Sequence, residues 1–320
     1  MKALLFTGVK EPLQYVEVES PIANEDQVVV ANSYAALNRR DYWITLGLYP
    51  GIVSPAILGS CGCGRFEDKT YIYNPNINWG SNSKVPGKDY YILGLEEGGT
   101  MAEFTAIRKT SLFEKPKHLT DKEAAALPLA GLTAYRALIS NCQLRLGEKV
   151  LITGIGGGVA LMAMQFALAT GAEVYVTSGS DEKLQRAISL GASGGVNYKR
   201  SDWDEDLKKM AGRFDVIIDS AGGPGFSKLI GLANRGGRIG LYGGTAGKWS
   251  DISPQHVFFK QLHIFGSTMG NDQEFNDMVA FVNAKKVVPI VDSVFSLEKG
   301  NEALQHMKDG KQFGKIILEI

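Results

Sequence analysis

Cysteine is scarce in this chain: Cys61, Cys63 and Cys142 are the only three in 320 residues. So sparse and odd a set builds no disulfide framework and suits a reducing compartment. Histidine is as thin, and His118, His256, His263 and His306 all stand far in sequence from Cys61-Gly62-Cys63. Two thiols alone cannot close a tetrahedral zinc site. The pair reads as small residues in a close-packed glycine-rich turn, the alternative being a metal or redox role. Long apolar runs are missing as well. Residues 1–8 are too short a run for a signal peptide, and nothing later reaches the length of a membrane span, so the expected place is the cytoplasm. Neither sign of charge is in excess, with 34 basic against 34 acidic residues. No long-range field therefore favours nucleic acid or an anionic membrane, and a small-molecule substrate is the partner left to consider.

What the chain does have is glycine, 38 in all, and one cluster is placed to carry chemistry. Val150-Leu151-Ile152-Thr153 runs into Gly154-Ile155-Gly156-Gly157-Gly158-Val159-Ala160 and continues as the apolar stretch 161–169. That order predicts strand, tight turn and helix. A turn that must bring bare backbone against a pyrophosphate excludes side chains, and the helix behind it offers unpaired N–H groups and a positive dipole end. The spacing Gly154-x-Gly156-x-x-Val159 departs from the strict fingerprint at its third position, so context has to support it. Residues 172–177 supply a second β-branched strand, which gives 149–178 the length and order of one βαβ unit. Gly154, Ile155, Gly156, Gly157, Gly158 and Val159 are therefore candidate cofactor-binding residues.

The end of that second strand discriminates between nicotinamide cofactors, because an acid there binds a ribose 2′-hydroxyl and repels a 2′-phosphate. The chain has no acid there. It reads Thr177-Ser178-Gly179-Ser180-Asp181-Glu182-Lys183, hydroxyls followed by a cation one turn into the next helix, with Asp181 in the place of a capping residue. Ser178, Ser180 and Lys183 thus favour NADPH over NADH. The plainer reading of Lys183 is a solvated helix lysine.

With 44% hydrophobic residues the chain can bury two cores. Residues 1–120 are strand-rich and irregular, and from 121 helices alternate with apolar strands: helices over 121–127, 131–140, 182–190, 226–233 and 274–284, strands over 214–219, 238–242 and 262–267. After Pro289 a strand at 291–295, a helix at 298–308 and a strand at 315–319 return the chain to its first domain. The expected fold is α/β: a doubly wound parallel sheet over 121–285, inserted into a β domain made of 1–120 and completed by 286–320, with the site between the two. The stretch Tyr242-Gly243-Gly244-Thr245-Ala246-Gly247-Lys248-Trp249 imitates a Walker loop but has Tyr242 for the first glycine and Trp249 for the magnesium-binding hydroxyl. It reads instead as a backbone wall, led by Tyr242 and Gly243, at the carboxyl ends of the sheet.

The chain resembles the medium-chain dehydrogenase/reductase superfamily and, within it, the zinc-independent quinone oxidoreductase-like enzymes. The resemblance rests on Ala35-Ala36-Leu37-Asn38-Arg39-Arg40-Asp41, Gly47-Leu48-Tyr49-Pro50, Leu58-Gly59-Ser60, Ala124-Ala125-Ala126-Leu127-Pro128, Gly131-Leu132-Thr133-Ala134, the glycine turn, Val196-Asn197-Tyr198, Tyr242-Gly243-Gly244, Gly266-Ser267-Thr268-Met269-Gly270 and 313–318. It implies a Rossmann domain holding NADPH and a GroES-like β-barrel domain on the substrate side. It further implies a threonine like Thr133 at the nicotinamide end and a tyrosine like Tyr198 beside the adenosine phosphate. Zinc-dependent relatives place a cysteine around Asn38 and Gly-His-Glu around Gly59-Ser60-Cys61, and carry a four-cysteine lobe for which this chain lacks residues. Cys61 also replaces a frequent aspartate, and 65–70 is shorter than the usual loop.

A metal-free NADPH enzyme most readily reduces a quinone or the activated C=C bond of an α,β-unsaturated carbonyl, since hydride adds to the electrophilic β-carbon and leaves an enolate. Tyr49 is the first candidate acid and Asn38 the amide suited to the cofactor ribose or a substrate carbonyl. Tyr49 as a packing residue, Asn38 as a turn residue and Thr133 as a helix cap are the structural alternatives. Asp41, Asp219 and His263 read as structural. The competing function is a non-catalytic NADPH-binding interaction or sensor protein on the same fold. Finally, His263-Ile264-Phe265-Gly266 with Val257-Phe258-Phe259 forms an apolar edge, at which relatives often join sheets across a twofold axis, so a homodimer is expected unless helices of the same chain cover it.

Overall fold

Val150, Leu151 and Ile152 are all fully buried, as are Val216, Ile217 and Ile218, and strands apolar on both faces must lie between two layers. In the computed structural model, which describes residues 1–320, they form the centre of a six-stranded parallel sheet. Its order is Gly194–Asn197, Glu173–Ser178, Lys149–Ile152, Phe214–Asp219, Ala233–Leu241, His263–Gly266. Numbered along the chain this is 3-2-1-4-5-6, the doubly wound arrangement with its switch point beside Lys149–Ile152. The helix Gly158–Thr170 buries seven side chains, Ala160 to Met164, Phe166 and Ala167, and ends on Gly171 in the left-handed region. Trp203, Leu207, Phe214, Phe226 and Leu229 pack in a single cluster on the sheet.

This unit comprises Thr133–Gly270. The other comprises Met1–Leu132 with Asn271–Ile320, so the parallel sheet is an insertion in a β-rich unit. There the long strand Gln27–Ala36 pairs with Gly62–Phe66, Phe104–Arg108 and, from the far end of the chain, Lys315–Glu319. Lys315–Glu319 in turn pairs with Val291–Ser296. Two expected boundaries shift by about a helix each, because Asp121–Ala126 and Asp272–Lys285 belong to the β-rich unit. Phe275 meets Phe113 edge-on at 4.6 Å, and Asp272 Oδ1 accepts N–H bonds from Asn74 and Asn76 at 2.8 Å, so the second of these helices is anchored there.

Three local expectations are corrected. Cys61-Gly62-Cys63 leads into a strand rather than a turn: Cys63 pairs with Ile72 and Tyr34, and a Cβ on Gly64 would stand 2.4 Å from Ala31 O, so glycine here marks close backbone approach. The helix-capping residue before Lys183 is Ser180, whose hydroxyl accepts the Lys183 N–H, while the Asp181 carboxylate is occupied by Asn197 Nδ2 at 2.9 Å. Thr133 is no helix cap either, since its helix starts at Pro128 and runs to Tyr135; proline has the right φ for a first turn and no N–H to leave unpaired.

Candidate functional site

The turn after Lys149–Ile152 is held from below by side chains and left bare above. Thr153 Oγ1 donates to Asp219 Oδ1 at 2.5 Å, and both Asp219 oxygens accept backbone N–H groups, Ala221 on Oδ1 and Gly222 on Oδ2. Ile155 N–H donates to Thr177 O at 2.8 Å, and Ile155 itself is buried, so its side chain anchors the turn. Gly154 and Gly156 have φ of +66° and +115°, which an L side chain resists. Gly157 then stands at the N-cap of Gly158–Thr170, where the Gly158 and Val159 N–H groups have no intrahelical partner. A bare turn, two positive φ values and a helix N-terminus together fit a dinucleotide pyrophosphate.

At the neighbouring strand end the residues expected to read the ribose come together, though differently from one another. Ser178 is buried, its Oγ donating to Ile155 O at 3.4 Å and accepting Ser180 N–H at 3.2 Å, so it braces the two turns against each other. Ser180 is half-buried at the helix cap and Lys183 half-buried in the first turn. Tyr198 is exposed, its N–H bound to Ser178 O at 3.0 Å. A Cβ on Gly179 would lie 2.9 Å from Tyr198 Oη and 3.0 Å from Lys199 Cε. Lys199 is thus a cation beside this turn that the sequence does not single out, because there it is one more polar residue after a strand.

Tyr242 and Gly243 follow Ala233–Leu241 at the carboxyl edge. Burial pushes the Tyr242 phenol up, against a hydrogen bond with Ser220, and a Cβ on Gly243 would meet Ser220 O at 2.8 Å. Ala246 N–H donates to Ala221 O at 2.8 Å and Gly223 N–H to Gly247 O at 2.9 Å, so the two glycine-rich loops are zipped together as a backbone wall. Thr133 lies in the same unit, buried, with Oγ1 3.8 Å from Met269 Sδ.

Asn38 and Tyr49 belong to the β-rich unit and flank the helix Arg39–Thr45. Asn38 is its N-cap, and the Asn38 N–H donates to Asp41 Oδ2 at 2.8 Å. The Asn38 side chain is fully engaged: Oδ1 accepts from Lys315 Nζ at 2.6 Å, while Nδ2 donates to Ala36 O and to Cys61 Sγ, each at 3.3 Å. Tyr49 is half-buried, and the Arg40 guanidinium lies over its ring at 4.9 Å. Arg40 also donates to Ser60 Oγ and Leu93 O. Burial lifts the Asp41 carboxyl above its usual range despite Arg40 and the Asn38 N–H, raises the Cys61 thiol and lowers Lys315.

These residues do not fit a zinc ion. Asn38, Ser60 and Cys61 meet around two cations, with the amide oxygen on Lys315, the hydroxyl on Arg40, and Cys61 Sγ accepting N–H groups from Asn38 and Leu129. A divalent cation would have to displace the Lys315 side chain from Asn38 Oδ1 and face the Arg40 guanidinium.

The family model described as zinc-binding dehydrogenase matches residues 158–284. A zinc-type alcohol dehydrogenase-like protein, YogA, of Leptosphaeria maculans is 34% identical, over 97% of this chain and 95% of its own. An acryloyl-coenzyme A reductase of Sulfurisphaera tokodaii is 29% identical over the full length of both. Among solved structures, an NAD-dependent alcohol dehydrogenase superposes with a TM-score of 0.93 at 32% identity, covering 100% of both chains. The quinone oxidoreductase from Thermus thermophilus, solved alone and with NADPH, gives 0.84 at 27% identity, again over 100% of both.

Proposed function

This chain belongs to the medium-chain dehydrogenase/reductase superfamily, in its quinone oxidoreductase-like branch, and we propose that it is a zinc-independent, NADPH-dependent reductase of quinones or of the activated C=C bond in α,β-unsaturated carbonyls. The observation that carries this reading is the pairing of a bare dinucleotide turn at Gly154–Gly158 with a cluster at Asn38, Ser60 and Cys61 built on cations where zinc-dependent relatives place ligands. Alcohol oxidation without a Lewis acid is difficult, whereas a conjugated acceptor is already polarised. The NADPH-bound Thermus quinone oxidoreductase and the acryloyl-coenzyme A reductase support the same reading.

NADPH, when bound, supplies the hydride. The chain's own residues have the remaining tasks. The N–H groups of Gly156, Gly158 and Val159 would hold the pyrophosphate, with Gly154, Ile155 and Gly157 shaping the turn. Ser180, Lys183 and Tyr198 would hold the 2′-phosphate, and Ser178 braces their turn against Ile155. Thr133, Tyr242 and Gly243 would border the nicotinamide end. Asn38 Nδ2 would donate to the carbonyl oxygen of the acceptor, where negative charge gathers when the conjugated bond is reduced. Tyr49 delivers the proton that completes the enol or the α-carbon, its ring steadied by Arg40.

The surface we propose for a partner is the strand His263–Gly266, which ends the sheet with half-buried Ile264 and Phe265, next to exposed Phe258 and Phe259. A homodimer that continues the sheet through this strand is part of the proposal. Three free, buried cysteines suit the cytoplasm, and no helix is long and apolar enough to cross a membrane.

The test is NADPH consumption across a panel of quinones, enals and enones, with zinc measured on the same sample. Turnover with at least one class supports the proposal. Tight NADPH binding without turnover on any of them would replace it by the sensor reading.

A further inference from the structure

Lys315 is the one lysine that the fold encloses beside a proposed catalytic residue. It opens the strand Lys315–Glu319 and is 5% exposed. The Leu37 N–H donates to Ile316 O at 3.0 Å, which draws the two chain segments together. Lys315 Nζ then reaches Leu37 O and Asn38 Oδ1, both at 2.6 Å. An ammonium has donors only, so it settles which end of the Asn38 amide is oxygen. The amide nitrogen must face the other way.

The two ends of that amide are held unequally. Oδ1 carries a short, charge-assisted bond, whereas Nδ2 has two long contacts at 3.3 Å, one of them to a thiol sulfur that already accepts the Leu129 N–H at 3.2 Å. Sulfur is a weak acceptor, so an incoming oxygen competes well for that N–H while Oδ1 stays fixed. A cation on the amide oxygen also draws electron density from the amide nitrogen and makes its hydrogens stronger donors, the cooperative effect of a hydrogen-bond chain in low dielectric.

We propose that Lys315 is a positioning residue that acts through Asn38, clamping the amide oxygen so that Nδ2 presents a polarised donor to the substrate oxygen. Positive charge that a metal would bring to that oxygen arrives here through an amide, from a side chain fixed by the last strand of the fold. The inference rests on the proposed reductase reading, in which Asn38 touches the substrate. It involves no proton transfer by Lys315 and no covalent step. Asp41 and Cys61 are the ionisable groups that face the ammonium, and neither comes between it and Asn38.

The experiment has a spectroscopic arm and a kinetic arm. In 15N-labelled, ligand-free protein the Asn38 side-chain NH2 signal is identified by its loss in Asn38→Ser, then followed in Lys315→Met and Lys315→Gln. Glutamine keeps a donor without the charge, and it stands in if methionine at a buried polar position fails to fold. The expected result is a displaced Asn38 signal in the folded variants, with kcat on the best acceptor down at least about tenfold and KM changed by less than about threefold. An Asn38 signal that stays in place overturns the proposal, as does a displaced signal with unchanged kcat. If the parent enzyme turns over none of the acceptors, the reductase reading fails by itself, and the NMR arm still decides whether Lys315 holds Asn38.

Discussion

Placing a carboxylate at Gly179 should invert the choice of cofactor. The atoms nearest a Cβ there are Tyr198 Oη, Lys199 Cε and Tyr198 Cζ, the outer ends of two side chains, so Gly179→Asp is accommodated by their moving aside. The new charge would stand where the proposed 2′-phosphate sits between Ser180, Lys183 and Tyr198. A unit-charge pair at 4 Å is worth about 1 kcal/mol in water and about 4 kcal/mol at an effective dielectric of 20. Tyr198 and Lys199 are exposed, which selects the lower figure, and a phosphate near two negative charges doubles it to about 2 kcal/mol. That is about a thirtyfold loss for NADPH. NADH should gain, because the carboxylate can accept from a ribose 2′-hydroxyl. The assay is fluorescence titration of both cofactors at two salt concentrations, the loss shrinking at the higher one as screening sets in. A NADPH-to-NADH affinity ratio that stays within about threefold of the parent's would refute the placement of the phosphate, since even the aqueous figure predicts more.

Lys183→Ala should cost NADPH about tenfold or more in the same titration, as a charge-assisted phosphate contact is worth roughly 1.5 to 3 kcal/mol; equal affinity of the parent for both cofactors would count against the assignment. Purified protein should hold no stoichiometric zinc and keep its turnover in chelator, and a zinc requirement would overturn the reading of the Asn38, Ser60 and Cys61 cluster. Ile264→Lys should convert a dimer to a monomer by light scattering, and a monomeric parent refutes the edge pairing. Burial by itself would raise the Asp292 carboxyl, but the Phe313 N–H at 2.7 Å and His306 Nε2 at 2.9 Å outweigh it and hold it below its ordinary value. Its stabilising contribution is therefore complete above the unfolded value near pH 4 and fades as pH falls through the lower folded one. Asp292→Asn should lower Tm at pH 7, and the gap between the two proteins should narrow below about pH 4; a constant gap contradicts the linkage.

The strands Phe214–Asp219 and Lys315–Glu319 are legible in the sequence because each is a short apolar run between polar breaks. The glycine turn is legible for another reason, that positive φ restricts the choice of residue. Less legible is the helix Arg39–Thr45, which buries Arg40 and Asp41 while Tyr42 and Trp43 stay partly exposed, so its periodicity is inverted by the charges it pairs. Glycine at 62 and 64 misleads as a turn signal, since what it records is the ring of Tyr73 and the backbone of Ala31 pressing on a strand. Nor does sequence disclose that Lys315, written as the polar start of an apolar strand, turns inward to Asn38, because that contact joins positions 277 residues apart. That Lys315 holds Asn38 Oδ1 and Arg40 holds Ser60 Oγ is likewise a fact of packing that the sequence does not carry.

The pairing of Ile317 with Ala36 also imposes an order of assembly. A strand made early in synthesis must wait about 280 residues for its neighbour, whereas the Thr133–Gly270 unit is contiguous and can close as soon as it has left the ribosome. During that interval Phe104–Arg108 already covers residues 27–31 on that neighbour's side, and only the end at Tyr34–Ala36 is an unpaired edge, a short template for any passing strand. Because that pairing is the most non-local in the unit, the slow phase of refolding would belong to the last strand arriving, not to the parallel sheet of Thr133–Gly270.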